Sequence, residues 1–329
     1  MSGGVDSAVA ALLISKQGYE CAGVTMKLWT DGEVFGDTFD TCPDQNCLDA
    51  KQICERLGID HYSVALGESF RDSVVNRFID EYIAGRTPNP CVECNKKIKF
   101  GRLFDVAEHY GYTTLATGHY ARIVKNPSGS FSLMRAADGS KDQSYFLWSI
   151  DPSRLGHILL PLGDMTKAQI REIAAENGFE NAHRKDSQDI CFIPDGEYAS
   201  FIKAHSDAKF PTGKFIDVNG NTLGDHSGMI NYTIGQRKGL GIALGQPMFV
   251  KEKNASANTV TLSTDAELYS DTVIAKNVNL LECGALSNPE RLCVKIRYRH
   301  APAAATVVQT DENTISVKFD EPQRACNVS

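Results

Sequence analysis

"MSGGVDSAVAALL", residues 1–13, sets two glycines and a serine directly before a helical pattern. A glycine turn opening into a helix N-terminus gathers backbone N–H groups into an anion-binding concavity, which the helix dipole reinforces. Ser2 and Ser7 add hydroxyl groups, and Asp6 stands where it can cap the helix or hold a metal ion. No lysine follows the glycines, so the Walker pattern Gly-x4-Gly-Lys-Ser/Thr is absent.

Outward from this loop, helical and strand patterns alternate. "DSAVAALLISKQGY" reads as a helix ending before Gly18, "CAGVTMKLW" as a buried strand, and "NCLDAKQICERLG" as a helix closed by Gly58. "DHYSVAL" is a second strand, and "ESFRDSVVNRFIDEYIAG" a long amphipathic helix stopping at Gly85. A proline-rich loop with Cys91 and Cys94 follows, then a helix over "NKKIKFGRLFDVAEHYG" and a strand over "TTLATGHY". This alternation predicts a Rossmann-like α/β domain with a parallel sheet covered by helices. "ARIVKN-PSG-SFSLMR" reads as a hairpin, and "KDQSYFLWSI" and "TKAQIREIAAENGF" as helices. From about residue 210 the chain turns to short alternating runs such as "NTVTLS" and "TISVKF". The predicted domains are 1–208 (α/β, catalytic), 209–270 (small, β-rich) and 271–329 (β-barrel-like).

The composition is that of a globular protein: 42% hydrophobic, 23% charged, net charge −7. No signal-peptide pattern opens the chain, and the apolar run "VAALLI" is far too short to span a bilayer. The expectation is a cytoplasmic protein without a membrane partner, whose ten cysteines are thiols unless they do chemistry. Basic clusters at 95–102, 234–239 and 295–300 stand against the acidic average.

Cys91 and Cys94 in "RTPNPCVECNKKIKF" form the chain's one Cys-x-x-Cys. A structural zinc needs about four ligands, and no second pair exists. Lys96, Lys97, Lys99 and a helix start just after Cys94 predict a thiolate there, hence sulfur chemistry. Cys191 lies among apolar neighbours in "KDSQDICFIPDGEY" and by itself reads as a core cysteine. Cys42 and Cys47 read as loop thiols, and Cys21, Cys54, Cys283 and Cys293 as core.

"SGGVDS" looks like the pyrophosphate-binding loop of the N-type ATP pyrophosphatases. With "TMKLW", "RTPNPCVECNKKIKF", "LATGHYAR", "KDQSYFLW", "KDSQDICFI", "TIGQRKGLGI" and "RYRHAP", in order, the chain resembles the tRNA-specific 2-thiouridylase (MnmA, or TrmU) family along nearly its whole length. That family normally has a strand before the glycine loop, and further strands past "VKFDEP"; the resemblance therefore implies a chain shortened at both ends.

The resemblance implies an ATP-dependent sulfurtransferase. It would adenylate the C2 oxygen of the wobble uridine in the tRNA anticodon, release pyrophosphate, and replace that oxygen with persulfide sulfur, giving 2-thiouridine and AMP. Cys191 would carry the persulfide, and Cys94 would be the partner nucleophile, able to close a disulfide with it. Met1, Ser2, Gly3, Gly4, Val5, Asp6, Ser7, Met26 and Gly118 match ATP-binding positions, with Mg2+ offsetting charge. Asn89, Pro90, Cys91, His119, Lys141, Asp142, Gln143, Arg297 and Tyr298 match positions that meet tRNA. Partners would be tRNA and a persulfide donor such as a cysteine desulfurase or a sulfur carrier protein. Many members carry Asp where this chain has Cys91, which opens a second route: a 4Fe-4S cluster on Cys91, Cys94 and Cys191.

Overall fold

The structure is a computed structural model of the 329-residue chain and describes residues 1–29, 36–39, 45–179 and 189–326. In chain order it contains α1 (Val5–Lys16), β1 (Ala22–Lys27), β2 (Thr38–Phe39), α2 (Gln45–Leu57), β3 (Asp60–Ala65) and α3 (Gly67–Phe70). A π-helical turn (Arg71–Val75), α4 (Asn76–Ile83), α5 (Pro90–Glu93), a π-helical stretch (Cys94–Arg102) and α6 (Leu103–His109) follow. Next come β4 (Leu115–Ala116), β5 (Ala121–Lys125), β6 (Phe131–Arg135), β7 (Ile158–Leu159), α7 (Lys167–Glu176) and α8 (Tyr198–Ala204). The rest is β: β8 (Gly213–Ile216), β9 (Thr222–His226), β10 (Phe249–Asn254), β11 (Thr259–Ser263), β12 (Tyr269–Lys276), β13 (Glu290–Val294), β14 (Ala303–Asp311) and β15 (Thr314–Arg324).

Two compact units divide the chain. The first holds Met1–Val75 and Pro90–Phe192, the second Asn76–Asn89 and Ile193–Ser329.

In the first unit, β1 and β3 run parallel, from Ala22 opposite Asp60 to Lys27 opposite Ala65, and β2 joins β3 antiparallel. β4 and β7 form a separate parallel pair, and β5–β6 is the predicted hairpin. The α1 stripe Val5, Ala8, Val9 and Leu12 packs with Ile170 and Ala174 of α7 and Ile53 of α2. Thr166 starts α7 through a capping box with Gln169, which fixes the next residue, Lys167, in the first helical position.

In the second unit, a sheet ordered β10-β11-β8-β9 encloses Phe215, Tyr232, Val250, Val260 and Leu262. A second sheet, β12-β15-β14-β13, packs Ala305, Val307, Val317 and Phe319 on one face. α4 belongs here: Phe78 and Tyr82 are buried, and the Tyr82 ring stacks 6.5 Å from Tyr198 of α8. Lys253 of β10 lays its Nζ 5.5 Å from the Tyr82 ring centroid. That nitrogen is buried without a hydrogen-bond partner, and burial lowers its pKa to about 8. Gly85, at φ +80°, ends α4 against Lys253 in a conformation that suits glycine.

Several expectations need correction. The helix expected from Asn95 begins at Pro90, because proline's fixed φ favours the first helical position. The Cys-x-x-Cys is therefore helical, not a loop. "KDQSYFLWSI" keeps only a 3-10 turn at Ser144–Phe146. Its buried Asp142 carboxylate accepts the backbone N–H groups of Ala136 (3.0 Å) and Ser144 (3.3 Å), a local alternative to helix. "TTLATGHY" is a strand only at Leu115–Ala116. The amphipathic helix expected over 68–85 runs from Gly67 to Ile83 and is interrupted by the π turn at Arg71–Val75. The parallel sheet is split into two small ones. Cys47 is buried in α2, whereas Cys283 and Cys293 are exposed, Cys293 on the edge strand β13. Cys42 lies outside the described residues. Among the described residues no helix is long and apolar enough to cross a membrane.

Thr166→Ala removes the α7 cap, and urea denaturation should show a loss of about 1 kcal/mol.

Candidate active site

The glycine loop is held by its own side chains. Gly3 takes φ +66°. The Ser7 hydroxyl donates to the Gly4 carbonyl (2.9 Å) and accepts the Ser2 N–H (3.2 Å). A Cβ on Gly3 would sit 3.0 Å from the Asn46 carbonyl of α2, so the loop is pressed onto that helix. A Cβ on Gly118 would lie 2.8 Å from the Asp6 carbonyl carbon, so two backbones meet where only glycine fits. The Met1 backbone nitrogen donates to the Val24 carbonyl of β1.

Asp6 is the polar centre of this end. Lys167 Nζ donates to both its oxygens, each at 2.8 Å, and the Tyr120 hydroxyl donates to Oδ1 at 2.7 Å. The Lys167 side chain is 10% exposed and that of Asp6 31% exposed, so the pair is largely shielded from water. Neither Lys167 nor Tyr120 was expected from sequence; nothing local ties Lys167 to a residue 161 positions earlier.

A cavity of about 810 Å3 opens beside the loop, lined among others by Ser2, Asp6, Met26, Lys99, Gly118 and His119. Of the residues matched to ATP, Met1 and Ser7 also line it, whereas Gly3, Gly4 and Val5 stand behind it, with Val5 in the core. Of those matched to tRNA, His119 and Gln143 line the cavity too. Gln143 Oε1 accepts the Tyr120 N–H at 2.9 Å. Asp142 is 5% exposed and committed to its turn, leaving half-buried Lys141 beside it. Asn89, Arg297 and Tyr298 lie in the second unit, where Arg297 donates to the Arg324 carbonyl and Lys295 Nζ sits 5.2 Å from the Tyr298 ring centroid.

The His119 ring is tightly set. Its Nδ1 is 2.8 Å from the Thr117 hydroxyl and its Nε2 3.5 Å from Lys99 Nζ. Burial, and secondarily the Lys99 charge, push its pKa well below the ordinary value. The imidazole is thus neutral, with Nε2 facing the ammonium as an acceptor.

The three thiols singled out from sequence come together in the first unit. Pro90 opens α5, Cys91 is exposed in that turn, and Cys94 is buried one turn on. Cys191 is exposed, and the next residue, Phe192, is buried edge-on against Phe70 of α3, 5.6 Å between centroids. The cysteines are electrostatic neighbours: Cys191 and Cys91 each raise the Cys94 pKa, and Cys91 raises that of Cys191. The larger cause at all three is desolvation, which pushes Cys94 up to about 12; Lys99 opposes it at each sulfur.

The thiolate predicted at Cys94 is therefore corrected to a neutral thiol. The helix starts four residues before Cys94, so Cys94 is not at the positive end, and burial outweighs the one lysine that reaches it. The three thiols also fail to make a ligand set: among the described residues, no group of three or more His, Cys, Asp or Glu side chains could hold a metal ion. The donors as arranged do not fit an iron–sulfur cluster.

Comparison with known proteins adds three family models in order. Residues 1–195 match the tRNA methyl transferase HUP domain, 199–264 the tRNA methyl transferase PRC-barrel domain, and 270–327 the aminomethyltransferase beta-barrel domain. A HUP domain carrying this loop and cavity, followed by two β domains, defines a tRNA-modifying enzyme. The tRNA-specific 2-thiouridylase MnmA of Clostridioides difficile is 45% identical over 326 residues, covering 99% of this chain and 90% of that one. The enzymes of the same name from Clostridium perfringens and Lachnoclostridium phytofermentans are 42% and 41% identical, each over 99% of this chain and 90% and 92% of theirs. The chain belongs to the tRNA-specific 2-thiouridylase MnmA family.

The Cys94 result has a pH signature. An unfolded cysteine titrates near 9, the folded Cys94 near 12. Between those values the unfolded state holds fewer protons, so stability falls as pH rises from about 9 toward 12. Cys94→Ser should flatten that part of a pH–denaturation curve. Below pH 8, iodoacetamide labelling read by peptide mass spectrometry should modify Cys191 before Cys94.

Proposed function

We infer that this protein is a tRNA 2-thiouridylase that adenylates and then thiolates the wobble uridine. Three thiols and a nucleotide-sized cavity in one compact unit, sharing Lys99, carry this reading. The family descriptions speak of methyl transfer, the close relatives of thiolation; gathered cysteines suit sulfur chemistry.

ATP would lie with its phosphates against Ser2 and Ser7, backed by the glycine turn, and with its adenosine toward Met26 and Gly118. A magnesium ion accompanying those phosphates would neutralise their charge, with Asp6 as the carboxylate beside the loop. The Lys167 and Tyr120 bonds orient that carboxylate. The flipped uridine presents its C2 oxygen to the α-phosphorus; a P–O bond forms and pyrophosphate leaves. The adenylated oxygen is then a good leaving group.

Sulfur would arrive as a persulfide on Cys191, which is exposed and open to a cysteine desulfurase or a sulfur carrier protein. The terminal sulfur forms a bond to C2, and AMP departs with the former carbonyl oxygen. Cys94, having lost its proton to water, attacks the Cys191 sulfur. The electron pair of the persulfide S–S bond passes to the transferred sulfur, and a Cys94–Cys191 disulfide remains for a cellular dithiol to reduce. Asn89, Pro90 and Cys91 would flank the target base, Lys141, Asp142 and Gln143 the anticodon backbone, and Arg297 and Tyr298 more distant tRNA.

The test combines protein, ATP, Mg2+, a persulfide source and unmodified tRNA, with nucleoside mass spectrometry for 2-thiouridine. Cys94→Ser and Cys191→Ser should each abolish product and leave tRNA binding unchanged. Activity above a trace in either variant removes the assignment.

A further inference from the structure

Lys99 is the one lysine or arginine among the described residues that line the nucleotide cavity, and its charge also reaches Cys91, Cys94 and Cys191. The cause is the helix type. Cys94–Arg102 is π-helical, with hydrogen bonds from i to i+5, so a residue five positions on is turned closer to residue i than in an α-helix. In this stretch Lys99 is half-buried and its charge acts on Cys94, while Lys96 and Lys97 are exposed. Gly101 permits the wide turn: a Cβ there would stand 2.9 Å from the Lys96 carbonyl oxygen.

The ammonium is positioned yet uncompensated. Its contact is the neutral His119 Nε2 at 3.5 Å, itself fixed through Nδ1 to Thr117. No carboxylate pairs with Lys99 among the described residues, whereas Lys167, deeper under the loop, is neutralised by Asp6. Lys99 is thus a half-buried cation held by a neutral group, facing a cavity for an anion on one side and nucleophilic sulfur on the other.

We propose that Lys99 is a further catalytic residue of this site: its ammonium contacts the phosphate of the adenylated uridine and offsets the repulsion between that phosphate and the incoming sulfur anion. The inference rests on the thiouridylase reading. Attack on C2 needs two anions in one desolvated space, and a fixed cation between them favours that arrangement most as charge moves from sulfur to the departing AMP. Lys99 acts by its charge and takes no part in proton transfer.

The experiment compares Lys99→Met, Lys99→Arg and the exposed-face control Lys96→Met. Pyrophosphate release is measured with ATP and tRNA but no sulfur source, 2-thiouridine formation with a persulfide source, and the pH dependence of Cys94 and Cys191 alkylation by mass spectrometry. Lys99→Met should lose at least about 100-fold in 2-thiouridine formation, in line with loss of one charge-stabilising donor. Lys99→Arg should retain a tenth or more of wild-type turnover, and both Cys alkylation profiles should move to higher pH in Lys99→Met but not in Lys96→Met. Turnover of Lys99→Met within tenfold of wild type overturns the proposal. So does loss of activity in both Lys99 variants with unshifted alkylation profiles, which marks a packing role. Should the wild type make no 2-thiouridine from any sulfur source, the functional reading fails, and the alkylation profiles still decide whether Lys99 governs the thiols.

Discussion

The contact on which the rest of the catalytic unit depends is the one Asp6 makes with Lys167 and Tyr120, roofed by Gly118. Four separate parts of the chain meet there: the glycine loop, the end of β4, the start of the hairpin and the first turn of α7. The carboxylate is partly shielded from water, and Lys167 compensates its charge there. The partner comes from α7, whose capping box fixes Lys167 at the helix start. Loop shape, the depth of the cavity and the packing of α1 on α7 therefore stand or fall together.

Around the thiols the opposing effects are desolvation and a single positive charge. Local desolvation raises all three thiols, most of all the buried Cys94, and Lys99 offsets it only in part. A protonated Cys94 is protected from stray oxidants and alkylating agents, because the thiolate is the reactive form. The same burial means that Cys94 becomes a nucleophile only when something changes its surroundings, and the arrival of substrate in the neighbouring cavity is the natural event. Cys191, by contrast, is exposed, and under the proposed mechanism it would be the thiol open to a sulfur donor.

Much of this was legible in the residues. Helix periodicity gave α1, α2 and α7, the Pro-Ser-Gly turn gave the β5–β6 hairpin, and the ordered motifs gave the family. Local pattern failed where a distant group decided the outcome. Asp142 bent a helical-looking stretch into a turn by binding nearby backbone amides, and Gly118 cut a strand short by meeting Asp6. The π register of Cys94–Arg102 has no periodic signature, so three lysines looked equivalent when only the half-buried Lys99 has its charge felt at Cys94. Burial of Cys94 reversed a thiolate expectation based on sequence neighbours alone. Lys167 was invisible because its importance lies in a pairing across most of the unit.

The second unit borrows α4 from the middle of the first unit's stretch of sequence. A gene fragment that starts near residue 193 would encode both β sheets but omit Phe78 and Tyr82, leaving Tyr198 and Lys253 facing an empty trough. A fragment ending near that point would carry the same helix with nothing to lie against. The chain is modular in its family matches yet cannot be divided by a single cut, so shuffling of its β portion onto another protein would have to carry residues 76–89 along with it.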